Sequence, residues 1–201
     1  MDMTDTPRTE AGDEPRMRAD ARRSRAKLLE AATAAFAETG ADAPLEDIAR
    51  RAGVGIGTLY RHFPTRDAMV HAVYSREVDQ LAQSAARLIA TVAPIEALHQ
   101  WLRLCIDYIA TKKVLATALG AMAGGVPKIP GASAMPITEA VTRLLDHAQA
   151  AGEVRADVQP DDLLRALGGF TYGAEAPGWQ ASALRLIDLL MDGLRLPPPA
   201  S

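Results

Sequence analysis

Two short apolar rows separated by three residues of turn constrain this chain more than any other feature. Leu45, Ile48, Ala49 and Ala52 recur at helical spacing, then Gly53-Val54-Gly55 intervenes, then Leu59 and Phe63 recur four apart. The pattern predicts a helix over 45–52, a turn and a helix over 56–63, which together make a helix-turn-helix. Pro44 stands at the start of the first helix and Pro64 ends the second. Thr65 is placed to cap a long helix over 66–91.

The flanking sequence reads as more helix. Leu28, Leu29, Ala32 and Phe36 share one face of a segment that begins near Arg22 and stops at Gly40. Beyond Pro94 the residues Leu98, Trp101, Leu102, Cys105, Ile106 and Ile109 make a helix apolar on nearly every side. A Gly/Pro-rich loop follows over 124–136, then helices over about 137–151, 161–172 and 180–194. No strand alternation or repeat is visible. The fold class expected is all-α: an N-terminal three-helix helix-turn-helix domain over 21–66, joined by a long helix to a C-terminal helical bundle over 67–196. Residues 1–20, without apolar periodicity, read as a disordered tail, and 197–201 as a Pro-rich one.

Charge distribution separates these parts. The chain has a formal net charge of −3, yet residues 16–66 hold ten Lys/Arg against six acids while both flanking segments are net acidic. A basic island of this kind suits phosphate binding. In a helix-turn-helix the second helix presents its N-terminal residues to base edges and the first crosses the backbone. With Leu59 and Phe63 turned toward Phe36, Ile48 and Val54, the outward positions are Ile56, Gly57, Thr58, Tyr60, Arg61 and His62. Gly55 serves as N-cap, and Gly57 lets the main chain approach a phosphate or base closely because no Cβ intervenes. Thr58, Tyr60 and His62 offer hydrogen-bonding groups, and Arg61 reaches a phosphate or a guanine. Arg22, Arg23, Arg25 and Lys27, at the start of the first helix, suit phosphate contacts.

The run "LLEAATAAFAETG … PLEDIARRAGVGIGTLYRHFPTRDAMV" resembles the N-terminal domain of the TetR family of bacterial transcriptional regulators. The likeness lies in the Phe-x-x-x-Gly helix end, the Ile-Ala-x-x-Ala-Gly-Val second helix and the Gly-Thr-Leu-Tyr-x-His-Phe recognition helix. It implies a homodimer on a double-stranded DNA operator, a ligand-binding C-terminal domain and repression relieved by a small-molecule inducer. By position it adds Thr58, Tyr60 and His62 as DNA contacts and places Arg66 where the family commonly carries a phosphate-contacting Lys. Two positions depart from the pattern: Gly55 replaces a frequent Ser, and Pro44 replaces a Thr or Ser that caps the second helix.

The C-terminal part carries weaker signals. Leu163, Leu167 and Phe170, and Leu184, Ile187, Met191 and Leu194, form rows on the last two helices. They fit either an isologous four-helix dimer interface, which the resemblance favours, or the chain's own core. Trp101, Cys105 and Tyr108 share a face that Met122, Phe170 and Tyr172 can approach; they line a pocket for a mainly apolar or aromatic inducer, or are plain core. No cofactor is implied. His99 and His147 lie on separate helices without a cysteine or carboxylate pattern, so no metal site is expected. "GASAM" lacks the second Gly of a nucleophile elbow and "GGVPK" lacks the Lys-Ser/Thr ending of a phosphate loop, so an enzyme is not expected. One cysteine, no signal-like N-terminus and no long apolar run point to the cytoplasm and away from membranes. The rivals to a repressor are an activator and a helical binding module that never meets DNA.

Overall fold

A computed structural model describes residues 13–40, 42–123, 135–170 and 176–196, with side chains for all but 13–15 and 111–123 of these. Among the described residues are eight helices and no strand: α1 (Asp13–Thr39), α2 (Leu45–Ala52), α3 (Ile56–His62), α4 (Arg66–Thr91), α5 (Pro94–Ala123), α6 (Met135–Ala150), α7 (Pro160–Phe170) and α8 (Trp179–Leu194). The all-α expectation holds. The chain divides into two compact units, Met1–Val73 and Tyr74–Ser201, and the division falls inside α4.

One boundary differs from the sequence reading. Residues 13–20, expected within a disordered tail, are the opening turns of α1. Pro15 falls in its first turn, where a proline costs no internal hydrogen bond. Ala and Arg, strong helix formers, continue it. Apolar periodicity is blind to a helical segment that buries nothing. Residues 1–12, 41, 124–134, 171–175 and 197–201 lie outside the described residues, so the two tail ends, most of the Gly/Pro-rich loop and Tyr172 are not placed.

In the first unit α1, α2 and α3 close around Leu28, Phe36, Ile48, Leu59 and Phe63, all buried. The turn between α2 and α3 works through Gly53, whose φ of 67° is one that residues with a Cβ rarely adopt. There the N–H of Gly53 reaches the carbonyl of Arg50 (3.1 Å) and that of Val54 reaches Ala49 (3.0 Å), satisfying carbonyls that α2 leaves open. Pro44 heads α2 with no side-chain cap. At the head of α4, Thr65 Oγ1 accepts the N–H of Ala68 at 3.1 Å, the cap its position predicts.

The second unit packs α5, α6, α7 and α8 with the latter part of α4 around Trp101, Ile106, Leu144 and Ile187. Trp101 is fully buried, and its indole Nε1 donates to the Leu81 carbonyl at 2.9 Å. Glu153 accepts the N–H of Ile95 at 2.7 Å, capping α5 from the connection after α6. His99 and Arg103 of α5 both reach Asp188 Oδ1 of α8, at 2.8 and 2.7 Å.

Candidate nucleic-acid interface

The recognition element is α3, held from beneath and open above. Leu59, completely buried, is its one interior residue, and Phe63 at its C-terminal cap is buried as well. These two anchors fix the rotation of the helix. Ile56, Gly57, Tyr60 and Arg61 therefore face solvent, with Tyr60 45% exposed, while Thr58 and His62 are half-buried at the flanks. Gly55 is the N-cap residue, its carbonyl accepting the N–H groups of Thr58 (2.9 Å) and Leu59 (3.2 Å), and it too is exposed. Of the residues that the sequence singles out from 55 to 62, Gly55, Ile56, Gly57, Tyr60 and Arg61 are thus exposed and Thr58 and His62 are not fully so.

Gly57 is informative because the fold does not require it. Its φ is ordinary, and a Cβ built there meets no atom within 4 Å. A glycine inside a helix costs stability relative to alanine. The position therefore forgoes stability in an open place, which is what close approach by an outside surface would demand.

The basic side chains take several arrangements. Arg22 and Arg25 are exposed on one side of α1, and the Arg25 guanidinium carbon lies 5.2 Å from the centre of the Phe63 ring, a cation–π arrangement next to the end of α3. Arg23 lies on the other side, ion-paired with Asp20. Arg66 is half-buried and donates to the Ala43 carbonyl at 2.6 Å, so it secures the loop before α2 whatever else it contacts. Arg51 pairs with Glu38 at 2.8 Å; the hydrogen bond and the charge of Arg51 hold the Glu38 carboxyl below its ordinary range.

In the second unit the candidate residues differ in burial. Leu163, Leu167, Ile187, Met191 and Leu194 are each 6% exposed or less within a single chain and belong to its own core, against which Leu184 and Phe170 pack partly buried. The apolar residues left outside on α8 are Leu186 and Leu189, the latter 67% exposed, with Gly193 continuing their row at i, i+3 and i+7. On α7, Gly168 and Gly169 are exposed. The sequence did not separate the two faces because α8 is apolar on both, and a wheel alone cannot tell which turns inward.

Trp101 and Cys105 are likewise core. Burial pushes the Cys105 thiol well above its ordinary range. Tyr108 differs: half-buried, its ring 6.2 Å from that of Tyr74, it lines a groove of about 250 Å³ between α4 and α5. Glu77, Gln80, Leu81, Ser84, Arg87, Leu104 and Asp107 complete that groove, none of them a candidate from the sequence. Polar residues spaced along α4 carry no periodic signal that distinguishes a groove wall from a solvated face. The Met122 side chain lies outside the described residues.

The all-α architecture, a helix-turn-helix unit followed by a helical bundle, is shared with the known proteins that this chain resembles. The model of "Bacterial regulatory proteins, tetR family" matches residues 28–73, and that of "Transcriptional regulator SbtR-like, C-terminal domain" matches residues 93–196. The HTH-type transcriptional regulator UidR of Escherichia coli (strain K12) is 30% identical over 177 residues, spanning 80% of this chain and 84% of UidR. A TetR transcriptional regulator from Streptomyces coelicolor superimposes with a TM-score of 0.74 at 48% identity, covering 88% of this chain and 99% of that one. A TetR regulatory protein from Mycobacterium vanbaalenii gives 0.74 at 36% identity, covering 90% and 99%. The chain belongs to the TetR family of bacterial transcriptional regulators.

Proposed function

We propose that this regulator is a repressor that binds a near-palindromic operator as a homodimer and is released by a small-molecule inducer. The observation carrying the DNA half is the outer face of α3, where Ile56, Gly57, Tyr60 and Arg61 stand clear above buried Leu59 and Phe63. Two copies of that face, about one duplex turn (~34–36 Å) apart, read two half-sites. The exposed row of Leu186, Leu189 and Gly193 on α8, together with exposed Gly168 on α7, supports a two-fold helical interface, since small residues allow close helix approach and leucines supply apolar area. The groove beside Tyr108 suits an effector with an aromatic or apolar body and at least one polar group, given the carboxylates of Glu77 and Asp107 and the Arg87 guanidinium in its walls.

Release follows from linkage: an effector shifts operator binding only by binding the two conformations unequally. α4 runs without a break through the division between the units, so its displacement is the means by which ligand alters the spacing of the two α3 helices. Selection of bound sequences from random duplex DNA by the full chain tests the reading. It predicts enrichment of one palindrome; equal recovery of unrelated sequences would leave a binding module that does not read DNA.

A further inference from the structure

The helix that leads into the DNA-binding unit is longer than the core of that unit needs. Among the described side chains of α1, Leu28 is the first to be buried. Before it, every residue from Arg16 to Lys27 is exposed except half-buried Ala19 and Ser24. This segment, RMRADARRSRAK, holds six Arg/Lys against one Asp. Like charges three and four apart repel one another along a helix, and no buried face offsets that repulsion here.

The cations fall into two rows. Arg16, Arg23 and Lys27 share one side of α1 with Asp20, whose carboxylate pairs with Arg23. Arg18, Arg22 and Arg25, spaced four and three apart, share the other side. That second row lies in line with buried Leu29, Ala32 and Phe36, the side of α1 turned toward α2 and α3, and it ends where Arg25 sits over the Phe63 ring. It therefore starts beside the recognition helix and runs outward.

Resting on the DNA-binding reading above, we propose that Arg18 and Arg22, with Arg25, form a phosphate-binding row that extends each protomer's contact beyond the base-reading helix onto the outer flank of the operator. The partner is fixed by charge complementarity to a polyanion and by continuity with the outer end of α3. From Arg25 back to Arg18 the helix advances about 10 Å at ~1.5 Å per residue, on the order of three base pairs at ~3.4 Å each. Neutralising phosphates in this way releases counterions, which makes the contribution visible as salt dependence.

The test uses the full chain and the palindrome selected by the wild type. Two double variants remove equal charge: Arg18→Gln with Arg22→Gln from the row itself, and Arg16→Gln with Arg143→Gln away from it, Arg16 lying on the opposite side of α1 and Arg143 exposed on α6. Glutamine is close to arginine in helix propensity and none of the four side chains is buried, so both variants melt with the wild type. Affinity is measured against salt on the duplex with its natural flanks and on one trimmed by three base pairs at each end. The first variant lowers the slope of log K against log salt by about 0.9 for each phosphate it no longer neutralises, and trimming weakens the wild type while leaving that variant unaffected. The second variant keeps the wild-type slope. An unchanged slope in the first variant, or an equal fall in both, overturns the row while the repressor reading stands. A wild type that selects no palindrome removes both together.

Discussion

At the scale of single residues, α3 separates positions that hold the helix from positions that use it. Leu59 has no exposed surface, so Leu59→Ala leaves a cavity and costs ~2–5 kcal/mol, read as a lower midpoint in thermal or urea unfolding. Gly57 predicts the opposite combination. Because its φ is ordinary and its surroundings are open, Gly57→Ala gains roughly 0.5–1 kcal/mol of stability, yet operator affinity falls because a methyl group now stands where the main chain approaches DNA. Calorimetry and a binding titration on the same preparation measure both signs. A stabilised variant with wild-type affinity would return Gly57 to being an accident of sequence.

At the scale of helices, α8 carries the sharpest prediction. Ile187 faces the core and Leu189 faces away. Ile187→Ala destabilises the chain by ~2–5 kcal/mol, whereas Leu189→Arg leaves the melt nearly unchanged and converts the sedimenting species from dimer to monomer. A dimer that survives Leu189→Arg places the interface elsewhere. On the opposite flank, Asp188 is held below the ordinary carboxylate range, first by its hydrogen bond with His99 and then by Arg103. A depressed carboxylate contributes stability above its unfolded pKa of ~3.9 and loses it as the pH falls through the lower folded value. Acid unfolding of Asp188→Asn is accordingly less steep below about pH 4 than that of the wild type. Cys105, buried with its thiol pKa raised, reacts with a thiol reagent at the rate of unfolding rather than at the rate of a solvent-exposed thiol. Fast labelling of the folded chain would reopen the pocket reading of that residue.

At the scale of the whole molecule, what the sequence reveals follows from what each signal encodes. The turn was legible because Gly53 must adopt a positive φ and because Leu45, Ile48, Leu59 and Phe63 each have one buried side. The same burial made the outer face of α3 legible as its complement. The opening of α1 was not, since a charged helical segment has no apolar period. The outer face of α8 was not either, since Leu186 and Leu189 are as apolar as Ile187 and Met191 and only the packed bundle separates them. The groove beside Tyr108 depends on how α4 and α5 lie together within the second unit, which no spacing along either helix states.

The claim on which the rest depends is that α3 reads duplex DNA with the side it turns to solvent. Equilibrium titration of Tyr60→Ala and Arg61→Ala against the selected palindrome, beside their thermal melts, tests this most directly. Both melts match the wild type because both side chains are exposed. Affinity falls at least severalfold in each, with ~1–3 kcal/mol for a missing base-reading pair. Wild-type affinity in both variants would contradict the account.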